Sequence, residues 1–185
     1  MLPFYDHAVG AFTDEELGRL EHYCDGLPLV KGAFNNQLPG GQSDNAIRST
    51  QTAAIQGMPD IMWFFERLTS VVRTFNDRSY HFDLRGLFEA PQFLVYRDSE
   101  GGHYDWHLDR GREAPRKLSL TIQLTDPTRY EGCELQFNVG TQIISTPKGR
   151  GVVVAFPSYM VHRVTPIISG VRKAIVVWVT GPEFK

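Results

Sequence analysis

The residues LSLTIQLTDPTRYEGCELQFNVGTQIISTPKGRGVVVAF, 118–156, decide the fold class. Leu118 to Leu124, Glu134 to Phe137 and Gly151 to Phe156 are short runs rich in Val, Ile, Leu, Phe and Thr, separated by the turn residues Asp126-Pro127 and Pro147-Lys148-Gly149. β-Branched and aromatic side chains fit a pleated, half-buried surface, and Gly and Pro punctuate the chain between strands. The pattern extends outward in both directions. Phe82-Asp83-Leu84 and Gln92 to Tyr96 precede it, Lys173 to Val179 follow it, and Gly101-Gly102 and Ser169-Gly170 read as further turns. Several short strands at this spacing predict an all-β sandwich or barrel.

The N-terminal part has a different period. Thr13 followed three residues later by Glu16 is a capping box, and Leu17, Leu20 and Tyr23/Cys24 recur at helical spacing, which predicts a helix over about Asp14–Asp25. Pro59 suits a first helical residue, and Ile61, Met62, Phe64, Phe65, Leu68, Val71, Val72 and Phe75 trace an apolar stripe behind it. Between the helices, Leu27 to Ser49 is rich in Gly, Asn, Gln and Ser and reads as loop with one short strand at most. The expectation is one domain over residues 1–185: helical support and loops over 1–80, and a β core over 81–185. No repeat, low-complexity segment or linker divides it.

Size and charge narrow the function. At 185 residues the chain fits one domain with room for a core. Apolar residues at 42% and charged residues at 22% are ordinary for a soluble globular protein. A net charge of −2 argues against nucleic acid as a partner, since phosphate binding calls for a basic face. The two cysteines, Cys24 and Cys133, show no metal-like spacing; a reducing cytoplasm is expected. The N-terminus lacks the basic-then-apolar pattern of a secretory signal, and no apolar run approaches a membrane span. Oligomeric state is not legible.

The chemistry concentrates in Gly101-Gly102-His103-Tyr104-Asp105-Trp106-His107-Leu108-Asp109, which holds two overlapping His-x-Asp pairs. Residues two apart on a strand share a face, so either pair can offer an imidazole and a carboxylate to one metal. Of the six histidines, His162 alone lies in the distal β region, next to a strong strand. Two His and one carboxylate on one octahedral face leave open positions on Fe(II), enough for a bidentate 2-oxo acid and O2. The second carboxylate of such a cosubstrate needs a buried cation. Arg172, ten residues after His162 and across the Ile168-Ser169-Gly170 turn, can grip it through two parallel hydrogen bonds. Singly, each signal is weak: His-x-Asp is usually a surface pair, a lone His structural, an Arg after a turn solvated. Their combination in an all-β context is specific.

These blocks resemble the prolyl-4-hydroxylase-like branch of the 2-oxoglutarate/Fe(II)-dependent oxygenases, small bacterial and phage members above all. The resemblance runs over about half of the chain, from Gln92 to Val179. It is carried by Tyr96, Gly102 and Tyr104-x-x-His107-x-Asp109; by Leu124-x-Asp126-Pro127 with Tyr130-Glu131-Gly132-Cys133-Glu134-Leu135; and by His162-x-Val164-x-Pro166-x-x-x-Gly170-x-Arg172, ending at Trp178. It implies a mainly β fold, a double-stranded β-helix (jelly roll) behind the N-terminal helices. It also implies Fe(II) on His107, Asp109 and His162, with 2-oxoglutarate and O2 as cosubstrates and ascorbate as a reductant. The family spacing counted from Tyr104 selects His107/Asp109 over His103/Asp105, leaving His103 at the mouth of the site.

The resemblance gives further residues roles. Tyr96 corresponds to a tyrosine whose hydroxyl meets 2-oxoglutarate, although one extra residue separates it here from the motif histidine; a core aromatic is the plain alternative. Trp178 shares the parity of Arg172 and corresponds to a tryptophan lining the cosubstrate pocket. Thr121 and Gln123 share a strand face and could donate to the 2-oxo acid or the primary substrate. His103, Tyr104 and Arg48 are candidates for the substrate side. Cys133 stands where many relatives carry the second glycine of a pair. Relatives that halogenate replace the acidic ligand with a small residue; Asp109 is present, so hydroxylation of a small-molecule or peptidyl substrate is expected, a prolyl or other amino-acid residue among the options. The competing readings are a cupin-like metalloprotein that does not use 2-oxoglutarate, a non-enzymatic module that has kept the fold, and a DNA/RNA demethylase of the same superfamily. The last would be expected to carry a second downstream arginine and a basic lid.

Overall fold

Thr13 caps the first helix as its sequence predicts. In a computed structural model, which describes residues 2–32, 46–109 and 114–184, the Thr13 hydroxyl accepts from Glu16 N and the Glu16 carboxylate accepts from Thr13 N. Helix α1 (Asp14–Asp25) then buries Leu17, Leu20 and Cys24. A 3₁₀ turn from Pro59 leads into α2 (Met62–Phe75), which buries Phe64, Leu68, Val71 and Phe75 at helical spacing and ends in a π turn, Asn76–Tyr80. No helix among the described residues is long and apolar enough to cross a membrane.

The strands are β1 (Asp6–Ala8), β2 (Val30–Lys31), β3 (Arg48–Ser49), β4 (Gln51–Ala54), β5 (Gln92–Arg97), β6 (His103–His107), β7 (Arg116–Gln123), β8 (Tyr130–Gly132), β9 (Leu135–Asn138), β10 (Ile143–Ser145), β11 (Val153–Pro157), β12 (His162–Val164) and β13 (Ile167–Thr180). They form two antiparallel sheets. The major sheet runs β1-β11-β7-β13-β5-β4-β2, with β8 paired to β13; the minor sheet runs β10-β9-β12-β6-β3. This is the expected jelly roll. Its major sheet has two faces with different work. Phe93, Val95, Leu118, Leu120, Ile122, Ile175 and Val177 pack outward against α1 and α2 in one core. The alternate residues, Ser119, Thr121, Gln123, Arg172 and Trp178 among them, point between the sheets.

The structure differs from the sequence reading at three places. Phe82–Leu84 is no strand: the Asn76 side chain bonds both the N–H and the C=O of Phe82, at 2.9 and 3.0 Å, so that backbone needs no sheet partner. Residues before 81, expected as helices and loops, also supply four short strands that join both sheets; runs of two to four residues are too short for alternation to show. Part of the Leu27–Ser49 stretch, residues 33–45, lies outside the described residues. Third, Ile168-Ser169-Gly170 is not a turn. β13 continues through it for 14 residues, pairing with β8 first and with β5 and β7 afterwards. Gly170 sits at φ +82°, where a Cβ would collide with the carbonyl oxygen of Arg129. A glycine here lets β8 approach while the strand kinks past it.

Candidate metal centre

His107 ends β6 and His162 begins β12, directly opposite each other in the minor sheet. The step from Tyr104 to His107 on β6 faces the shorter step from Val164 to His162 on β12. That extra residue is a bulge, and it reverses the alternation. Tyr104 and His107 therefore share the interior, their rings stacked at 3.5 Å, while Asp105 is exposed. The sequence reading gave His103 and Asp105 the parity of His107; the bulge removes it. His103 instead sets Nδ1 2.8 Å from Gly101 O and Nε2 3.2 Å from Ala46 O, away from the other two histidines.

Each site histidine is held by the carbonyl two residues before it. His107 Nδ1 lies 2.7 Å from Asp105 O and His162 Nδ1 2.9 Å from Met160 O. A carbonyl only accepts, so both Nδ1 atoms carry a proton, which leaves Nε2 as the atom each ring can offer to a metal. Phe156 packs on the His162 ring at 4.7 Å. Asp109 lies just past β6, its N–H donating to Ser158 O at 3.0 Å. Its Oδ2 accepts from Ser119 Oγ at 2.7 Å, and Ser119 Oγ shares a 2.9 Å hydrogen bond with Ser158 Oγ. The major sheet thus steadies a carboxylate that the minor sheet delivers.

The three ligand-type atoms lie within 4.8 Å of one another. Asp109 Oδ1 is 4.0 Å from His107 Nε2 and Oδ2 is 3.7 Å from His162 Nε2, beyond hydrogen-bond reach. They converge without satisfying each other. Burial, and then the neighbouring His162, pushes His107 down to about 3, so its imidazole is neutral. Burial opposes the charge of Asp109, but His162, His107 and the Ser119 hydroxyl outweigh it and hold the carboxyl below the ordinary range. Two imidazoles and one carboxylate fit a divalent transition metal such as Fe(II).

Arg172 stands on the same interior face of the major sheet, opposite Tyr96 on β5. It is only 2% exposed. Its Nε and Nη2 donate to Gln123 Oε1 at 3.1 and 2.9 Å, its Nη1 faces Cys133 Sγ at 4.0 Å, and the guanidinium stands 5.3 Å from the centre of the Tyr96 ring. All of these neighbours are neutral, and among the described residues no carboxylate pairs with it. A buried cation with neutral partners fits an anionic guest, because a charge taken out of water is costly unless it is paired. Cys133 is held at φ +51°, next to Gly132 at φ +72°. A side chain in the left-handed region costs roughly 1–2 kcal/mol, which explains why a glycine-like position was legible there.

The remaining candidates spread around this axis. Thr121 is buried between Ser119 and Gln123 on the interior face, opposite Val176. Trp178 pairs with Ser119, not with the Arg172 end; six residues along the strand is roughly 20 Å. Its ring carries Arg116 at 3.8 Å, and Arg116 Nε donates to Glu89 Oε1 at 2.8 Å. Trp178 therefore lies nearer Asp109, through Ser119, than Arg172. Arg48 lies over the Tyr104 ring at 4.7 Å, extending the stack that begins at His107. The sequence reading missed Ser119, Ser158, Arg116 and Tyr130. Ser119 could have been found, since it shares its face with Thr121 and Gln123.

Residues 91–180 match the profile of the 2OG-Fe(II) oxygenase superfamily. A PKHD-type hydroxylase of Synechococcus sp. (strain CC9605) is 41% identical over 96 residues, 49% of this chain and 42% of that protein; the matched stretch thus spans less than half of that relative. The PKHD-type hydroxylase YbiX of Escherichia coli O157:H7 is 28% identical over 94% of this chain and 75% of its own. Two solved structures share the fold. A Pseudomonas putida prolyl-4-hydroxylase gives a TM-score of 0.75 at 18% identity, covering 97% of this chain and 94% of that one. A Trichoplax adhaerens prolyl hydroxylase, solved with a hypoxia-inducible-factor peptide fragment, gives 0.77 at 19%, covering 96% and 84%.

Proposed function

The chain belongs to the 2OG-Fe(II) oxygenase superfamily, and from that premise we propose that it is an Fe(II)- and 2-oxoglutarate-dependent dioxygenase that hydroxylates an unactivated C–H bond of an amino-acid residue, peptidyl proline first among the candidates. One observation carries the reading: the His107/Asp109/His162 cluster and a buried guanidinium with no carboxylate partner among the described residues both lie between the two sheets. A cupin-like protein that ignores 2-oxoglutarate has no use for Arg172.

Iron with 2-oxoglutarate and O2 supplies the oxidising chemistry, inserting oxygen into the C–H bond and releasing succinate and CO2. His107 and His162 present Nε2 to the metal, each fixed by its own chain's carbonyl. Asp109 brings the negative charge, oriented by Ser119. Arg172 anchors the far carboxylate of the cosubstrate, with Gln123 orienting the guanidinium and Tyr96 and Thr121 lining the wall. Tyr104, Arg48 and His103 stand on the side where a primary substrate enters, and Trp178 with Arg116 closes the opposite rim. The apolar surroundings of His162 keep water from the reacting centre.

The test is coupled turnover. Protein, Fe(II), ascorbate and 2-oxoglutarate are incubated with proline-containing peptides or with free amino acids, and succinate is counted against hydroxylated product. Stoichiometric product with peptides supports the reading; no stimulation of succinate release by any candidate removes it. A smaller effect is expected at the carboxylate's support. Ser119→Ala should weaken Mn(II) binding by about tenfold or more, the usual consequence of losing a group that orients a ligand, as read by calorimetric titration. Unchanged affinity would show that Ser158 and the backbone hold Asp109 unaided.

A further inference from the structure

We propose that Tyr130 selects the cosubstrate: its hydroxyl is a neutral second donor, beside the Arg172 guanidinium, to the far carboxylate of the 2-oxo acid. The inference rests on the assignment of Arg172 made above. Tyr130 opens β8 and pairs with Gly170, two residues before Arg172 on β13. The glycine at 170 is what admits it, for a Cβ there would also press on Tyr130 Cα at 3.1 Å.

The side chain is 6% exposed and packs among Leu94, Tyr96, Cys133, Val164 and Ile167. Lys148 fixes the ring from outside, with Nζ 4.6 Å from its centre and a 3.0 Å hydrogen bond to Gly132 O. Yet the Tyr130 hydroxyl, buried and facing the Arg172 guanidinium, has no acceptor for its proton among the described residues. A buried hydroxyl without a partner is destabilising, and an arginine cannot accept its proton. Burial raises the phenol above its ordinary range, so the hydroxyl keeps its proton and remains a donor at neutral pH. A donor with no acceptor and a guanidinium with no carboxylate partner among the described residues, buried side by side, are complementary to one group: a carboxylate with oxygens for both.

The experiment compares two 2-oxo acids of equal chain length, 2-oxoglutarate and 2-oxovalerate, which lacks the far carboxylate. Each is titrated calorimetrically against wild type and Tyr130→Phe loaded with Mn(II), so that no turnover is needed. The expected result is about a tenfold loss of affinity for 2-oxoglutarate in Tyr130→Phe, with 2-oxovalerate unaffected, because a hydrogen bond to a charged group is worth at least that factor. An equal loss for both acids would mark Tyr130 as a packing residue, and undiminished 2-oxoglutarate affinity would overturn the inference outright. Failure of the underlying assignment looks different: wild type itself would then bind the two acids equally.

Discussion

His162→Ala is expected to abolish the thermal stabilisation that Mn(II) gives the wild-type protein. A metal that binds only the folded state adds RT ln(1 + [M]/Kd), about 2.7 kcal/mol at a hundredfold excess over Kd. For a domain of this size that corresponds to a rise in Tm of roughly 5 to 10 °C. Removing one of three ligands leaves a pair, His107 and Asp109, whose carboxylate is still tied to Ser119. Affinity should fall by about three orders of magnitude or more, so the same Mn(II) concentration should leave the midpoint where the metal-free variant has it. Reporting the shift against each variant's own metal-free midpoint separates metal loss from any packing lost beside Phe156. Under anaerobic Fe(II) and 2-oxoglutarate, the visible charge-transfer band of wild type should be missing as well.

His103→Ala is the matched control. It removes an imidazole of the overlapping His-x-Asp pair, but the bulge in β6 has turned that ring to the Gly101 and Ala46 carbonyls. Its Mn(II) shift should equal that of wild type. A lost shift in His103→Ala together with a retained one in His162→Ala would invert the ligand assignment.

That contrast shows where the sequence was legible. Helix α1 could be bounded because its cap and its apolar spacing are both local, and the runs Gln92–Tyr96 and Leu118–Leu124 fall on β5 and β7 to within two residues because they are long enough to show their composition. What escaped depends on partners far along the chain. Ser169-Gly170 reads as a turn because a glycine serves a turn and a close strand approach alike; only the presence of β8 before it and β5 and β7 after it decides between them. The parity of His103 and His107 looked equal because a bulge leaves no trace in the residue types. Phe82–Leu84 carries strand composition, but Asn76 satisfies its backbone first. Of the candidates named on chemistry, His107, Asp109 and His162 come together, and Arg172 is buried on the interior face of the major sheet. Tyr130 was out of reach for the opposite reason: nothing in a Tyr announces that its hydroxyl ends beside a buried charge.

Arg172→Met should give the largest loss on the cosubstrate side. Two hydrogen bonds to a carboxylate from a charged, buried donor are worth about 3–5 kcal/mol together, or two to four orders of magnitude in affinity. The apparent requirement for 2-oxoglutarate should rise by that factor, while Mn(II) binding stays within about threefold of wild type, because the guanidinium touches none of the three metal-site residues. Stability should move the other way. The wild-type pocket keeps a desolvated guanidinium on neutral neighbours alone, the Gln123 carbonyl and the Cys133 thiol, and an unpaired buried charge is unfavourable to the fold. Methionine fills much of the same volume without the charge, so the metal-free, cosubstrate-free variant should melt no lower than wild type. A variant that binds 2-oxoglutarate normally would refute the anchoring role. One that loses 2-oxoglutarate and also melts several degrees lower would show that Arg172 is part of the structural core, and that the pocket's charge is already compensated without a guest. Loss of affinity with retained or raised stability is the signature of a residue kept for its ligand.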